Sequence, residues 1–384
     1  MQGDDDRRHH ALIELALLFL RLGTFGFGGP AAHVAMMEEE VVRRRGWLTR
    51  EEFIDLLGAT NLIPGPNSTE MAIHIGHRRA GFPGLVVAGV CFILPAALVT
   101  GTFAWLYVRW GTLPQARWLL YGVKPVIIAI VAQALWSLGR SAVKTWQLGL
   151  LGALALGASF AGLDELVILG IAGTVMMLAG RKRAPTGDAS VPFPSIAGAI
   201  GASTAVAGGS VALGSLFLTF AKIGAVLFGS GYVLLAFLRS DLVEQKQWLT
   251  EQQLFDAIAV GQVTPGPLFT TATFVGYVIR GAPGAAAATL GIFLPAFVFV
   301  AVSGPLIPRL RRSPLAGAFL DGVNVASLGL MAAVALQLAH AALVDVPSVA
   351  LALVAALLLL RFKTSSAWLV VGGAAIGGIV HALR

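Results

Sequence analysis

Two identical tripeptides, Pro64-Gly65-Pro66 and Pro265-Gly266-Pro267, interrupt apolar stretches of this chain. Proline inside a helix removes a backbone donor and clashes with the preceding turn, and glycine permits dihedrals closed to other residues. Each tripeptide is therefore expected to break a helix. A helix restarting after Pro66 would aim the unpaired amides of Asn67, Ser68 and Thr69 at whatever lies there, and its dipole favours an anion. The hydroxyls of Ser68 and Thr69 add donors. Gln262 precedes the second tripeptide, and Leu268, Phe269, Thr270 and Thr271 come after it, repeating the geometry with fewer polar groups. A tight membrane turn explains one such element equally well. Two of them, each succeeded by hydroxyls, favour a binding site for a small oxyanion.

Four ionisable residues extend this candidate site. Arg21 lies within an otherwise apolar segment, and Lys222 holds the matching place in the second half of the chain. A charge at the centre of a membrane helix costs at least about 2.5 kcal/mol, so it normally faces a partner or a cavity. A shared anion pathway is one reading; snorkelling, or an ion pair with Glu14, Glu70 or Asp256, is the other. Glu70 lies about one turn after Pro66, and His74 lies one turn further on the same helical face. Together they form a candidate proton-coupling pair, although Glu70 could equally neutralise Arg21. Clustered glycines (Gly23, Gly26, Gly28 and Gly29, then Gly224, Gly229 and Gly231) are expected to let helices approach closely.

The elements that position these residues are set by composition. The chain has 384 residues, of which 57% are hydrophobic and only 12% charged. Its mean hydropathy is +0.80. Soluble domains carry about a quarter charged residues, so half the usual solubilising surface is missing. Runs such as Phe82 to Val108, Trp118 to Leu138, Pro283 to Ile307 and Leu315 to Leu343 are nearly free of charge. About 20 apolar residues cross a bilayer as a helix, whereas barrel strands alternate over about ten. An all-α polytopic membrane bundle with about 12–13 hydrophobic segments is expected. Cys91 is the single cysteine, so no disulfide can form within the chain. The formal charge of +7 is scattered in short clusters between apolar runs, a pattern of membrane loops rather than of a nucleic-acid partner. Met1 to His10 carries charges of both signs with no small-residue cleavage site after it, so no cleaved leader is expected. No pattern of catalytic, metal or cofactor residues stands out, and no enzyme activity is expected.

The chain also repeats itself. A shift of 201 residues aligns Gly23 with Gly224, Trp47-Leu48-Thr49 with Trp248-Leu249-Thr250, Asp55 with Asp256, and the two Pro-Gly-Pro tripeptides. A shift of 200 then aligns Gly76 with Gly276, Pro83-Gly84 with Pro283-Gly284, Leu94-Pro95-Ala96 with Leu294-Pro295-Ala296, and Gly122-Val123 with Gly322-Val323. One register held over a hundred residues indicates duplication. The repeats are read as 1–194 and 195–384, with 181–194 as a cytoplasmic linker. Basic residues switch sides between them. In the first repeat they cluster at Arg78-Arg79, at Arg140 with Lys144, and at Arg181-Lys182-Arg183; in the second at Arg309, Arg311 and Arg312 and at Arg361 with Lys363. Bases collect on the cytoplasmic side, so the halves are expected to be inverted. The apolar run Ile196 to Gly214 then supplies an extra crossing. Inverted repeats with broken helices are a recurring plan for alternating-access carriers.

The chain resembles the chromate ion transporter family in its long, two-domain form. The resemblance rests on Phe25-Gly26-Phe27-Gly28-Gly29-Pro30 with His33, Arg45-Gly46-Trp47-Leu48-Thr49, Pro64-Gly65-Pro66, and Arg79-Ala80-Gly81 leading into Pro83-Gly84. The second half contributes Phe228-Gly229-Ser230-Gly231-Tyr232, Trp248-Leu249-Thr250 and Gln262-Val263-Thr264-Pro265-Gly266-Pro267. The resemblance implies chromate efflux from the cytoplasm across a bacterial inner membrane, by two halves of opposite orientation. Two positions depart from the family pattern. Asn61 stands where glutamine is frequent, and Glu70 where a neutral polar residue is frequent. Partners implied are a chromate- or sulfate-like oxyanion and the lipid bilayer, with oligomerisation left open.

Overall fold

The computed structural model describes residues 2–26, 29–110, 114–181, 211–228, 231–303, 313–362 and 364–382. Lys182, Arg183, most of the Ile196–Gly214 run and the bases at Arg309, Arg311, Arg312 and Lys363 lie outside the described residues. Among those described there are helices and no strands.

The first repeat comprises α1 (Gln2–Phe25), α2 (Gly29–Glu38) continuing as π-helical Glu39–Arg44, α3 (Arg50–Thr60), α4 (Asn67–Trp110), α5 (Pro114–Ala142), α6 (Trp146–Phe160) and α7 (Glu165–Arg181). The second comprises α8 (Leu213–Val226), α9 (Leu234–Leu238) continuing as π-helical Arg239–Gln245, α10 (Glu251–Val263), α11 (Thr271–Ser303), α12 (Pro314–Ala342), α13 (Val346–Phe362) and α14 (Ser366–Ala382). The repeated Trp-Leu-Thr motif now has a physical role. Thr49 and Thr250 are N-caps of α3 and α10, each closing a reciprocal capping box with Glu52 or Gln253. The Thr49 amide, and then Arg78, hold the Glu52 carboxyl below the usual carboxylate range.

Among the described residues, four helical stretches are long and apolar enough to span a bilayer: Asn67–Trp110, Tyr121–Ala142, Leu268–Ser303 and Pro314–Ala342. Helix α4 is nevertheless not straight. Gly81 has φ +62° and ψ −148°, and Gly281 in α11 has φ +64° and ψ −155°, dihedrals that glycine alone adopts readily. A Cβ on Gly76 would lie 2.2 Å from the Gly84 carbonyl oxygen, although eight residues of straight helix span about 12 Å. Asn67–Arg79 therefore folds back as a half-helix against the long leg of α4. The Thr273 and Thr289 hydroxyls, 2.7 Å apart, clasp the matching hairpin in α11.

The long legs of α4 and α11 pack across each other. Leu85 shares a buried cluster with Ala296 and Val300, and Gly89 abuts the Phe297 ring. The two repeats also interleave. Helix α5 packs on α13 and α14 of the other half, and α12 packs on α6 and α7 in return. A Cβ on Gly122 would meet the Gly373 carbonyl oxygen at 1.9 Å; one on Gly322 would meet that of Ala172 at 2.4 Å. Close backbone approach through small residues is how membrane helices gain packing without a hydrophobic drive.

Gly122→Ile should therefore separate the interleaved halves at a cost of about 1–3 kcal/mol or more, because backbone cannot yield as a side chain does. Gly139→Ile, where nothing lies within 4 Å, should be tolerated. Thermal melting monitored by size-exclusion chromatography in detergent distinguishes them; equal melting points would contradict the packing.

Candidate functional site

Both first helices stop short. Helix α1 ends with the Gly26 amide donating to Leu22, at 2.8 Å, and α8 with the Leu227 amide donating to Ile223, at 3.1 Å. The carbonyls just beyond these ends have no helical partner of their own. The Pro-Gly-Pro tripeptides supply it from the opposite repeat. Gly65 N–H donates to Leu227 O at 2.8 Å, and Gly266 N–H donates to Gly26 O at 2.9 Å. In each tripeptide only the glycine has an amide hydrogen, and that hydrogen is directed to the other half. Gly65 has φ +140° and Gly266 has φ +87°. Four interrupted chain segments thus meet pairwise near the crossing of α4 and α11, with Gly65 beside Ala296 and Gly266 beside Ala96.

The two breaks differ in how the chain continues beyond them. After Pro66, the Thr69 amide returns to Pro66 O at 2.7 Å and the Glu70 amide to the same oxygen at 3.0 Å. Thr69 N is therefore not free, contrary to the sequence expectation. The Asn67 and Ser68 amides make no hydrogen bond among the described residues. Ser68, Thr69, Glu70 and His74 are all buried. Thr69 Oγ1, both Glu70 carboxylate oxygens, His74 Nε2 and Gln262 Nε2 are enclosed without a hydrogen-bond partner. Removing a carboxyl from water without a partner is costly, and Glu70 has none among the described residues. A Cβ on Gly65 would lie 2.3 Å from Glu70 Oε1, which puts the carboxyl directly under the break.

After Pro267 the threonine hydroxyls are satisfied locally. Thr270 Oγ1 donates to Pro267 O, and Thr271 Oγ1 to Leu268 O, both at 2.8 Å. Thr100 Oγ1 reaches Thr270 Oγ1 at 3.3 Å. The second-half hydroxyls anticipated as ligand donors are thus turned onto backbone, because threonine next to a helix start finds the nearest free carbonyl.

The two cations pair with acids that sequence reasoning did not name. Arg21 Nη1 lies 3.5 Å from Glu40, and Lys222 Nζ lies 2.6 Å from Asp241. Glu40 and Asp241 are themselves separated by the repeat shift, a signal that was available. Glu14 instead pairs with Arg79, at 3.0 Å. Asp256 accepts from Tyr107 Oη at 2.7 Å and from Gln252 at 2.8 Å. The anticipated pairings with Glu14, Glu70 or Asp256 are corrected accordingly. The Arg21 side chain is 61% exposed, whereas that of Lys222 is 20% exposed against an Asp241 that is 2% exposed. The acidic–basic run Glu38 to Arg45 is laced with ion pairs, Glu40 accepting from both Arg44 and Arg45.

A family model described as chromate transporter matches residues 13–178 and again 214–379. The chain belongs to the chromate transporter family. It is 34% identical over 379 residues to a chromate transport protein of Cupriavidus metallidurans, covering 97% of this chain and 93% of that one. A chromate transport protein of Pseudomonas aeruginosa is 33% identical over 347 residues, covering 87% and 83%. An uncharacterized transporter of Methanocaldococcus jannaschii is 25% identical over 382 residues, covering 96% and 94%. No solved structure matches the chain. Its apolar helices and its family make it a multi-pass membrane protein.

The buried ion pair makes a sharp stability test. Lys222→Met leaves Asp241 charged and enclosed and should cost about 3–5 kcal/mol, whereas Lys222→Met with Asp241→Leu should recover most of it. Arg21→Gln, at an exposed pair, should cost under about 1 kcal/mol. Melting curves of the three variants read the difference, and a double variant no better than the single one would contradict it.

Proposed function

We propose that this chromate transporter family member carries chromate out of the cytoplasm across the inner membrane, binding the dianion at the paired helix breaks. The observation that carries the reading is the enclosed polar cluster at Pro64-Gly65-Pro66. There, unpaired Asn67 and Ser68 amides begin a half-helix beside the buried Ser68 and Thr69 hydroxyls. Amides at a helix start are positive, fixed and already desolvated, which suits a tetrahedral oxyanion. In this reading Gly266, docked on Gly26, mirrors that break from the other half, and Gln262 adds a donor. Pro265 and Pro267 hold that backbone in place. Thr270 and Thr271 support the turn through their bonds to backbone. Arg21 and Lys222 add positive potential from the flanks, each already balanced by its acid.

Inverted repeats give such a site two routes of access. Rocking one packed body against another, each drawn from both halves, exposes the same crossing point to either side in turn. The membrane potential provides the direction. One charge moved through 100 mV is worth about 2.3 kcal/mol, hence about 4.6 kcal/mol for a dianion leaving an inside-negative cell. Export needs no further coupling. Glu70 and His74, buried one turn apart, offer a proton site beside the anion, and exchange of a proton for chromate would add to this gradient.

Sulfate is the second reading, because amides and hydroxyls select shape and charge rather than the central atom. Inverted vesicles supplied with radiolabelled chromate, and challenged with sulfate or molybdate, decide between them. Chromate uptake should rise with a lumen-positive potential. Ser68→Ala should raise the half-saturation concentration about ten-fold, the worth of one hydrogen bond to an ion. Vesicles that accumulate neither chromate nor sulfate would contradict transport altogether.

A further inference from the structure

Beside the first break opens a cleft of about 230 Å³. Asn61 and Asn67 line it from the two sides of the Pro-Gly-Pro break, and Asn324, Ser327 and Asp321 line it from α12 of the other repeat. Lys144, just beyond the end of α5, completes it, with its Nζ 3.0 Å from Asp321 Oδ1. Asn67 Nδ2 donates to Asn61 Oδ1 at 2.9 Å, so one amide is already turned across the break. Ser327 is 1% exposed and its Oγ has no hydrogen-bond partner among the described residues. A buried hydroxyl at the wall of a polar cleft, with nothing to bond, points to a ligand or water there.

The duplication provides an internal comparison. At the places equivalent to Asp321, Ser327, Lys144 and Asn67, the other half carries Tyr121, Ile127, Val344 and Leu268, while Asn324 and Asn61 correspond to Lys124 and Gln262. The helices are repeated but the polar set is repeated only in part. The fold alone therefore does not require the Lys144–Asp321 pair or the Ser327 hydroxyl, which have no counterpart at the matching places of the other half.

We infer that this cleft is an entry site for a tetrahedral oxyanion, in which Lys144 is held in reserve by Asp321 and exchanges that carboxylate for the incoming ion. An ammonium tied to an exposed carboxylate loses little when the partner changes, because solvent screens such a pair. A dianion brings more charge to the same ammonium and accepts from the asparagine amides and Ser327, which Asp321 does not reach. The loop charges place the Lys144 corner on the cytoplasmic side, where cargo for export arrives. The inference deepens the export reading and rests on it for the identity of the cargo.

Lys144→Gln and Asp321→Asn both break the same ion pair. If the pair is only a strap between α5 and α12, the two variants behave alike. If Lys144 captures the anion and Asp321 competes with it, they move in opposite directions. Equilibrium binding of radiolabelled chromate and of sulfate to the purified full chain in detergent, alongside uptake into proteoliposomes, measures both. Lys144→Gln should weaken binding about ten-fold or more, and Asp321→Asn should tighten it about three-fold. Ser327→Ala should weaken it without altering the melting point. Equal shifts for Lys144→Gln and Asp321→Asn, or no binding of either ion by the unaltered protein, would overturn the cleft. Binding with opposite shifts but no uptake would overturn the export reading and leave the cleft standing.

Discussion

A helix broken inside a membrane leaves backbone groups that lipid cannot satisfy, and each such group costs several kcal/mol. In this protein each half bonds a carbonyl left open by the other. Gly65 N–H bonds to Leu227 O, and Gly266 N–H bonds to Gly26 O, which His33 Nε2 also reaches from its own half at 2.8 Å. The flanking prolines matter as much as the glycines. By removing every other amide hydrogen from the tripeptide, they leave one donor to direct and none to bury unpaired. Each break is therefore tied to the other half beside the crossing of α4 and α11.

Interleaving obeys the same constraint. Each repeat's last helices pack on the other's long helix through glycine contacts close enough to exclude any side chain. Such a core couples the two ends of the molecule, because α5 cannot move without α13 and α14. Any motion at the crossing must therefore carry helices of both halves together. The asymmetry is confined to side chains. The first break retains unpartnered polar groups and opens onto a polar cleft, while the second has turned its hydroxyls onto its own backbone.

Membership in the chromate transporter family accounts for the shared scaffold, and the enclosed Glu70 is a feature that sits on top of it. Its carboxyl has neither oxygen bonded and lies against a glycine that has no room for a methyl group, so its burial carries a desolvation cost. Its counterpart Thr271 carries no such cost, because its hydroxyl is bonded locally.

Much of this was legible in the chain. Low charge and long apolar runs determined a helical membrane protein, since nothing else satisfies the backbone in lipid. The repeated Trp-Leu-Thr and Pro-Gly-Pro motifs determined duplication and helix breaks, because those residue types have narrow backbone roles. Loop charges pointed to inversion. Partners in space were not legible. Arg21 and Lys222 were placed beside the breaks by sequence, but only packing shows that Glu40 and Asp241 hold them. The free amides narrowed from three to two once Thr69 folded onto Pro66. Lys144 and Asp321 lie in different halves, and nothing local joins them. Composition and backbone chemistry act along the chain and can be read there; which groups meet across an interleaved interface is decided by three-dimensional packing alone.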